Sequence, residues 1–305
     1  MDATLPQLSE TGLLSARSLI EMALEEDLQS VGDLTSRATI PPGTPAQVNV
    51  VARENGHLCG AALIEPVYAA LCRRMKLSED AVTTTLHLHD GQPVSAGTHV
   101  ATISGPVDVL LTGERIALNF LIHLSGIASL TGRFVAKTEG TGATVLDTRK
   151  TLPGYRWLHK YAVRCGGGTN HRMGLYDGML IKDNHLAARG NQSVAAAVEA
   201  GRNLLRDEGL NLPVEVEVDT LEQLRDALVQ KPEIVLLDNM KPPQLQQAVA
   251  IRNEVSEATL LEASGGINME TIGCISATGV DRISIGALTH SAPSLDLGYD
   301  WPWKT

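Results

Sequence analysis

Short apolar runs that each end in a polar residue recur through the second half of the chain. A segment with helical spacing of its apolar residues follows most of them, and strands that alternate with helices form a parallel sheet. The predicted strands are residues 144–146, 179–181, 214–218, 234–237, 259–261 and 282–285. The predicted helices are residues 193–208, 220–230, 242–255 and 269–277, with Thr220 and Asn268 as N-caps.

The polar residues at the strand ends favour one of two parallel-sheet folds. A β/α barrel builds its site from the carboxyl ends of many strands, whereas a doubly wound sheet binds its ligand at one crevice, usually beside a glycine-rich turn after the first strand. Here the functional-looking residues follow six strands. We therefore predict an α/β protein whose catalytic domain, residues 115–289, is a TIM-like β/α barrel, complete or incomplete.

The first 110 residues have a different pattern. They contain predicted helices at 15–26 and 61–75 and strand-like runs at 47–53 and 82–89, which together indicate a smaller N-terminal α/β sandwich domain over residues 1–114. We expect the C-terminal tail, residues 290–305, to pack on this domain. Residues 90–105 have the glycine and valine spacing of a β-hammerhead but lack a lysine for a lipoyl or biotinyl group, so we interpret them as structural. A predicted helix over 107–123 joins the two parts.

Composition narrows the functional classes. The 305 residues carry a formal net charge of −10, which argues against nucleic acid as a general partner. No apolar run is long enough to cross a bilayer, and the start MDATLPQLSE is acidic and polar, unlike a signal peptide. The four cysteines, Cys59, Cys72, Cys165 and Cys274, are far apart and are expected to be reduced structural thiols. We therefore expect a cytoplasmic protein with no membrane partner.

Cationic side chains are concentrated in one segment of this acidic chain. Residues 149–182 hold seven Lys or Arg residues and one carboxylate, Asp177, where an even spread would put about three basic residues. The planar guanidinium groups of arginine and the ammonium groups of lysine can together neutralise several anionic groups. The segment predicts a site for a small ligand with phosphates, carboxylates or both. A lysine at a strand end also allows a rival reading, a Schiff-base aldolase that uses Lys150 or Lys182.

Acidic and glycine-rich strand ends complete the predicted site. Glu217 and Asp238 are one β/α unit apart and would stand on adjacent strands, where two carboxylates suit Mg²⁺. The alternative is that each carboxylate has a structural role, either in the layers of side chains inside the barrel or as a helix cap. Two tripeptides late in the predicted barrel could offer backbone N–H groups to a phosphate. Barrels of this kind often bind phosphate in their last loops. The tripeptides are Ser264, Gly265 and Gly266, and Ser284, Ile285 and Gly286.

Several longer motifs resemble one family. DTRKTLPG, KYAVRCGGGTNHRMGLYDGMLIKDNH, EVEVD, LLDNM, EASGGIN and SIGALTHS resemble quinolinate phosphoribosyltransferases, as do EEDLQSVGDLTS and TGERIALNFLIHLSGIAS near the start. The resemblance spans nearly the whole chain. It implies that quinolinate and phosphoribosyl pyrophosphate react, with Mg²⁺, to give nicotinate mononucleotide, pyrophosphate and carbon dioxide in de novo NAD biosynthesis.

The resemblance also implies roles for individual residues. It places Arg115, Arg149, His171, Arg172 and Lys182 around the quinolinate carboxylates, with Thr148 in the same site, and Lys150 near the phosphates of the donor. It makes Glu217 and Asp238 the acidic pair near ribose and Mg²⁺, held directly or through water or substrate, and Ser264–Gly266 and Ser284–Gly286 the 5′-phosphate loops. We interpret Lys150, Lys182, Glu217 and Asp238 as catalytic. His171 would orient a carboxylate or donate a proton.

Assembly and specificity follow from the same resemblance. Arg115 would reach the neighbouring subunit's site, which implies a homodimer or a higher homo-oligomer. Where His159 stands the family often has an acidic residue, and Tyr155 and Trp157 also depart from its pattern; these differences bear on fine specificity. Other readings are a relative found with molybdenum-transport genes, a nicotinate or nicotinamide phosphoribosyltransferase, and a non-catalytic anion-binding or scaffold protein. The intact TRK and NHR segments favour the dicarboxylate enzyme.

Overall fold

The computed structural model describes residues 5–190 and 193–303. The helices are α1 (Glu10–Leu28), α2 (Leu34–Thr39), α3 (Ile64–Arg74), α4 (Val107–Thr138), α5 (Arg156–Cys165), α6 (Asp183–Ala188), α7 (Val194–Asp207), α8 (Leu221–Val229), α9 (Pro242–Val255), α10 (Ile272–Ser276) and α11 (Ala287–His290). The strands are β1 (Pro45–Ala52), β2 (Gly56–His57), β3 (Thr83–Leu86), β4 (Pro93–Val94), β5 (His99–Pro106), β6 (Thr144–Leu146), β7 (Met179–Ile181), β8 (Val214–Val218), β9 (Ile234–Asp238), β10 (Leu260–Ser264), β11 (Arg282–Ser284) and β12 (Leu297–Asp300).

Two compact units make up the described chain. The N-terminal unit runs to Gly132 and includes Thr151–Gly167 and the chain from Leu288 onward, while the barrel unit comprises Arg133–Lys150 and Gly168–Ala287. These units differ from the predicted bounds of 1–114, 115–289 and 290–305, because residues 115–132 of α4 and the segment that contains α5 belong to the N-terminal unit. Within that unit, the Tyr161 hydroxyl on α5 donates to Asp90 Oδ2 at 2.9 Å.

A parallel sheet forms the barrel unit. Its six strands lie in the order β6-β11-β10-β9-β8-β7, and every neighbouring pair is parallel. Strands such as β9, with the sequence IVLLD, are almost continuously apolar because residues on both faces are buried. Among the described strands β6 and β7 are the two edges. The prediction of a barrel-like β/α sheet beside a smaller domain is confirmed, in its incomplete form.

The N-terminal unit has an antiparallel sheet. Its strands lie in the order β12-β1-β5-β3, and the C-terminal strand β12 pairs with β1 through Val50 and Tyr299. Helices α1 and α3 bury Ile20, Leu24 and Leu71 completely or nearly so. No helix within the two described stretches has the length and apolarity that a membrane span requires.

Most predicted elements are confirmed, and two differences are informative. Helix α4 continues to Thr138, well beyond the predicted end at residue 123, because its sequence remains apolar and helix-compatible. Helix α10 begins at Ile272, later than the predicted residue 269. Asn268 caps the turn that leads into it, since its Oδ1 accepts hydrogen bonds from the Glu270 and Thr271 amides and its carbonyl accepts one from the Ile272 amide. Thr220 caps α8 as predicted.

A buried histidine pair in the N-terminal unit predicts acid sensitivity. His159 is fully buried, and its Nε2 lies 2.8 Å from Nε2 of His123. Burial, and then the charge of His123, lower the pKa of His159 from 6.5 to about 4. Between these two values the unfolded chain binds a proton that the folded chain does not. The stability that neutral His159 provides is therefore present above about pH 6.5 and is lost as the pH falls toward 4.

We expect the free energy of unfolding to fall by about 3 kcal/mol more in the wild type than in His159→Gln when the pH is lowered from about 7 to about 4. Urea unfolding at a series of pH values measures this difference. His99→Gln, at an exposed position, is the matched control and should keep the wild-type pH dependence. An unchanged pH dependence in His159→Gln would contradict the assignment.

Candidate active site

Six strand ends of the barrel unit bring the predicted polar residues to one edge of the sheet. Because all six strands are parallel, their carboxyl ends point the same way, as in barrels whose active sites lie at that end. The residues at or directly after these ends are Asp147 (β6), Lys182 (β7), Glu217 (β8), Asp238 (β9), Ser264 (β10) and Ser284 (β11). The sheet therefore places residues that are far apart in sequence on neighbouring strands.

Asp147 fixes the segment that carries the central cations. It is fully buried, and its carboxylate accepts hydrogen bonds from Asn170 Nδ2 at 2.6 Å and from the backbone amide of His171 at 3.0 Å. A second carboxylate, Asp177, accepts hydrogen bonds from the Met173 and Gly174 amides. These carboxylates set the backbone on both sides of Arg172. Sequence reasoning noted Asp147 at a strand end but gave it no role.

Arg149 and Arg172 form a pair of like charges. Burial, and then the positive charge of Arg149, lower the pKa of the half-buried Arg172 guanidinium. Arg172 Nη1 donates to the Gly178 carbonyl at 3.0 Å, whereas the buried Nε of Arg149 has no hydrogen-bond partner within the described residues. A buried donor without a partner and two repelling cations are both stabilised by an anion. The pair therefore has the chemistry of an anion site.

Lys182 and Glu217 join the ends of two neighbouring strands. Lys182 Nζ donates to Glu217 Oε2, and the carboxylate is buried while the lysine side chain is 45% exposed. Lys182 is also the N-cap of α6, where its backbone amide donates to His185 Nδ1. Asp238 at the end of the next strand is half-buried and accepts a hydrogen bond from Asn239 Nδ2 at 2.6 Å. The strand order β7-β8-β9 thus makes Lys182, Glu217 and Asp238 successive strand-end residues.

Two groups of side chains in the barrel unit could hold a cation. Among the described residues, one trio of possible ligands lies within 4.8 Å of one another: His171, Glu215 and Glu262. This trio suits Mg²⁺ poorly, because His171 would supply a nitrogen ligand and Mg²⁺ prefers oxygen. In addition, Arg282 Nε already lies 2.7 Å from Glu262 Oε2. Glu217 and Asp238 offer hard oxygen ligands, and two protein carboxylates fit an ion that completes its shell with water and ligand oxygens. The predicted pair is therefore chemically suited to Mg²⁺.

His171 belongs to a buried cluster at the barrel interior. Its Nε2 lies 3.1 Å from Glu215 Oε2 and 3.4 Å from Glu262 Oε1. Burial lowers the His171 pKa, but the hydrogen bonds and negative charges of the two carboxylates outweigh it and raise the pKa to about 9. The sequence predicted His171 as a ligand contact but did not single out Glu215 or Glu262 for a role. In the sequence, the only local sign of a role for Glu215 and Glu262 is their position in or directly after a predicted strand.

The glycine loop after β10 is shaped by Asn239, a residue that sequence reasoning also missed. Gly265 has φ of +92°, and a Cβ added there would lie 2.3 Å from Asn239 Oδ1. Asn239 itself has φ of 54°, and its amide donates to the Ser264 carbonyl at 2.9 Å. In the loop after β11, the Ile285 amide donates to the Leu146 carbonyl. That amide is therefore used within the barrel.

We expect Gly265→Ala to lower the free energy of unfolding by about 1–3 kcal/mol, because the substitution combines left-handed strain with a clash. Gly266→Ala separates the two causes, since Gly266 has φ of +62° but an added Cβ would meet no atom within 4 Å. Gly273→Ala, in α10 and in open space, is the control and should raise the free energy of unfolding by up to about 1 kcal/mol, because alanine has the higher helix propensity. Urea unfolding of the three variants measures the differences. Equal costs at residues 265 and 266 would show that the Asn239 contact contributes nothing.

The remaining predicted residues are placed as follows. Thr148 Oγ1 accepts a hydrogen bond from the Lys150 amide at 3.1 Å, and Lys150 is exposed. Arg115 is exposed on α4 and belongs to the N-terminal unit. The role of Arg115 in ligand binding stays a prediction.

Comparisons with known proteins match nearly the whole chain to one family. The family description "Quinolinate phosphoribosyl transferase, C-terminal domain" matches residues 127–300, and the description of the N-terminal domain matches residues 33–125. A nicotinate-nucleotide pyrophosphorylase (carboxylating) of Mycobacterium leprae is 44% identical over 293 residues, which cover 96% of this chain and 99% of that protein.

Two further similarities extend to a plant protein and a solved structure. A quinolinate phosphoribosyltransferase (decarboxylating) 1b of Nicotiana tabacum is 36% identical over 296 residues, covering 92% of this chain and 81% of that protein. The structure of the nicotinate-nucleotide pyrophosphorylase from Francisella tularensis has a TM-score of 0.84 and 34% identity, and the match covers 98% of this chain and 100% of that one.

Proposed function

This chain belongs to the quinolinate phosphoribosyltransferase family, and we propose that the cationic and acidic strand ends of the barrel unit are the two halves of its active site. The enzyme transfers the phosphoribosyl group of phosphoribosyl pyrophosphate to quinolinate with decarboxylation. The products are nicotinate mononucleotide, pyrophosphate and carbon dioxide, in the biosynthesis of NAD. It is therefore a pentosyltransferase, nicotinate-nucleotide diphosphorylase (carboxylating).

The quinolinate half of the site rests on the pair Arg149 and Arg172. Quinolinate carries two adjacent carboxylates, and these two guanidinium groups repel each other while one buried donor lacks a partner. This is the observation that carries the proposal, because a dicarboxylate supplies both an acceptor for the buried donor and negative charge beside the two guanidinium groups. Lys182 adds a third cation at the neighbouring strand end.

The donor half of the site consists of the acidic pair and the late loops. We assign Glu217 and Asp238 to the ribose and metal side, and Lys150 to the phosphates of the donor. The loops Ser264–Gly266 and Ser284–Gly286 are assigned to the 5′-phosphate. The exposed glycines of the first loop allow close approach of an anion to the backbone.

Magnesium is part of the proposal. Glu217 and Asp238 would hold the ion, together with oxygens of water and phosphoribosyl pyrophosphate. When bound, Mg²⁺ neutralises charge that develops on the departing pyrophosphate. The test is a metal titration: chelation should abolish turnover, and Mg²⁺ should restore it.

The reaction follows from positioning and charge. The ring nitrogen of quinolinate donates its lone pair to C1′ of the ribosyl group while the C1′–oxygen bond breaks and pyrophosphate leaves with that electron pair. Lys150 stabilises the departing pyrophosphate, while Arg149, Arg172 and Lys182 keep the ring nitrogen aimed at C1′. The bond from C2 to its carboxylate then breaks, carbon dioxide leaves, and the electron pair stays at C2 beside the positively charged nitrogen until a proton replaces the carboxylate. No side chain has to act as a general base.

Assembly and location are also proposed. We propose a homodimer or higher homo-oligomer in which Arg115 contributes to the site of the neighbouring subunit; its exposure on α4 leaves it available for such a contact. Mixing Arg115→Ala subunits with Lys182→Ala subunits should restore part of the activity if the site is shared. A cytoplasmic location is supported by four free cysteine thiols, three of them buried.

A product assay tests the function. Purified protein is incubated with phosphoribosyl pyrophosphate and Mg²⁺ and with either quinolinate or nicotinate, and carbon dioxide and mononucleotide are measured. We expect both products from quinolinate and neither from nicotinate. Mononucleotide from nicotinate without quinolinate turnover would overturn the substrate assignment, and the absence of any product would overturn the function.

A further inference from the structure

A buried network lies behind the quinolinate cations. Glu215 on β8 and Glu262 on β10 converge on His171 Nε2, although strand β9 lies between them. Inward-facing residues of alternate strands meet in this way in a barrel. Glu262 also accepts a hydrogen bond from Arg282 Nε on β11 at 2.7 Å. Three strands therefore contribute to holding one imidazole ring.

The other ring nitrogen of His171 is also in use. The backbone amide of Arg172 donates to His171 Nδ1 at 2.7 Å, so this nitrogen acts as an acceptor and Nε2 carries the hydrogen that faces the two carboxylates. A second proton, on Nδ1, would have to face the Arg172 amide hydrogen. This hydrogen bond therefore opposes the protonation that the carboxylates favour. In the described arrangement the ring is bound at both nitrogens by the protein.

A metal ion is a poorer explanation of the cluster. An ion on Nε2 would require that nitrogen to lose its hydrogen, and the hydrogen would then have to sit on Nδ1, where the Arg172 amide donates. Arg282 already supplies a positive charge beside Glu262. The arrangement suits an orienting role for the carboxylates.

We propose that Glu215 and Glu262 are positioning residues of the reaction: they hold the His171 ring, and the ring holds the Arg172 amide in the place that presents the Arg172 guanidinium to quinolinate. The proposal rests on the function above. Asp147 accepts a hydrogen bond from the His171 amide, and His171 Nδ1 accepts one from the Arg172 amide, so two consecutive backbone amides are held by side-chain acceptors. We expect the network to act on quinolinate, because Glu215 and Glu262 contact His171, which precedes Arg172, although the donor groups Glu217 and Ser264 follow them on the same strands.

The experiment compares Glu215→Ala with Glu215→Gln in steady-state kinetics. Glu215 is the better position because Glu262→Ala would also leave the half-buried Arg282 without its partner. Alanine removes the acceptor for His171 Nε2, whereas the glutamine oxygen can still accept that hydrogen bond. We expect KM for quinolinate to rise by about tenfold or more in Glu215→Ala, to recover in large part in Glu215→Gln, and KM for phosphoribosyl pyrophosphate to stay within about twofold of the wild type.

Controls distinguish the possible failures. Glu257→Ala, at an exposed position of the barrel unit, should match the wild type. A purely structural role for Glu215 would lower the melting temperature and the active fraction but leave both KM values unchanged, and that result would overturn the proposal. Equal rises in both KM values would overturn it as well. If Glu215→Ala does not fold, Glu262→Ala is measured in its place with Glu262→Gln as its conservative variant, and the same selective rise in KM for quinolinate is expected in Glu262→Ala. The same assay also tests the function itself, because wild-type protein without quinolinate turnover would refute it.

Discussion

Replacing Arg172 by alanine is expected to lower kcat/KM for quinolinate by about 10²- to 10³-fold. The substitution removes a half-buried guanidinium that faces another cation, so the carboxylates of quinolinate lose a charge-assisted donor. Arg172→Lys should recover only part of the loss, because an ammonium keeps the charge but not the planar fork. Initial rates at varied quinolinate, with saturating phosphoribosyl pyrophosphate, give the values.

The matched control for Arg172 is Arg206→Ala. Arg206 lies on α7 of the same unit with its side chain 73% exposed, so its removal should change kcat/KM by less than about twofold. A wild-type value for Arg172→Ala would show that the quinolinate carboxylates bind elsewhere.

Lys182→Ala is expected to reduce kcat/KM for quinolinate by at least about 10²-fold. Two causes contribute: the substrate loses a cation, and the buried Glu217 carboxylate loses its partner. The double variant Lys182→Ala with Glu217→Gln separates them. If the unpaired carboxylate causes the loss, the double variant recovers activity; if the lost cation causes it, activity stays low or falls further.

We expect the second outcome, because Glu217 itself is assigned to the donor half of the site. Lys137→Ala, an exposed lysine of the barrel unit, is the control and should retain wild-type kinetics. Wild-type turnover in Lys182→Ala would remove this residue, and with it the end of β7, from the quinolinate site.

The sequence alone predicted much of the fold because the relevant signals are local. Apolar runs of three to five residues with helices between them define a parallel sheet, and the structure confirms β6, β7 and β8 at their predicted bounds. The Thr220 cap depends on a side chain three residues from its partner amide, a distance that a motif can encode. The length of α4 was less predictable, because an apolar helix carries no marked stop at residue 123.

The candidate site was predicted in part. Strand-end polarity, the cationic segment and the family motifs together named Arg149, Arg172, Lys182, Glu217 and Asp238 before any geometry was known. The roles of these residues in binding and catalysis stay predictions that the experiments above test. Position at a strand end could be deduced from sequence, whereas the partner of each side chain could not.

What the sequence by itself determined was therefore the class of chain: its family, its reaction, its alternating elements and the residues at their ends. Only the tertiary structure decided which of these residues meet. Glu215 and Glu262 are 47 positions apart and reach the same ring nitrogen, and Gly265 is shaped by Asn239 on another strand. The physical reason is that such contacts depend on strand order and register across the sheet, whereas sequence patterns report on the few residues within one strand or one helical turn.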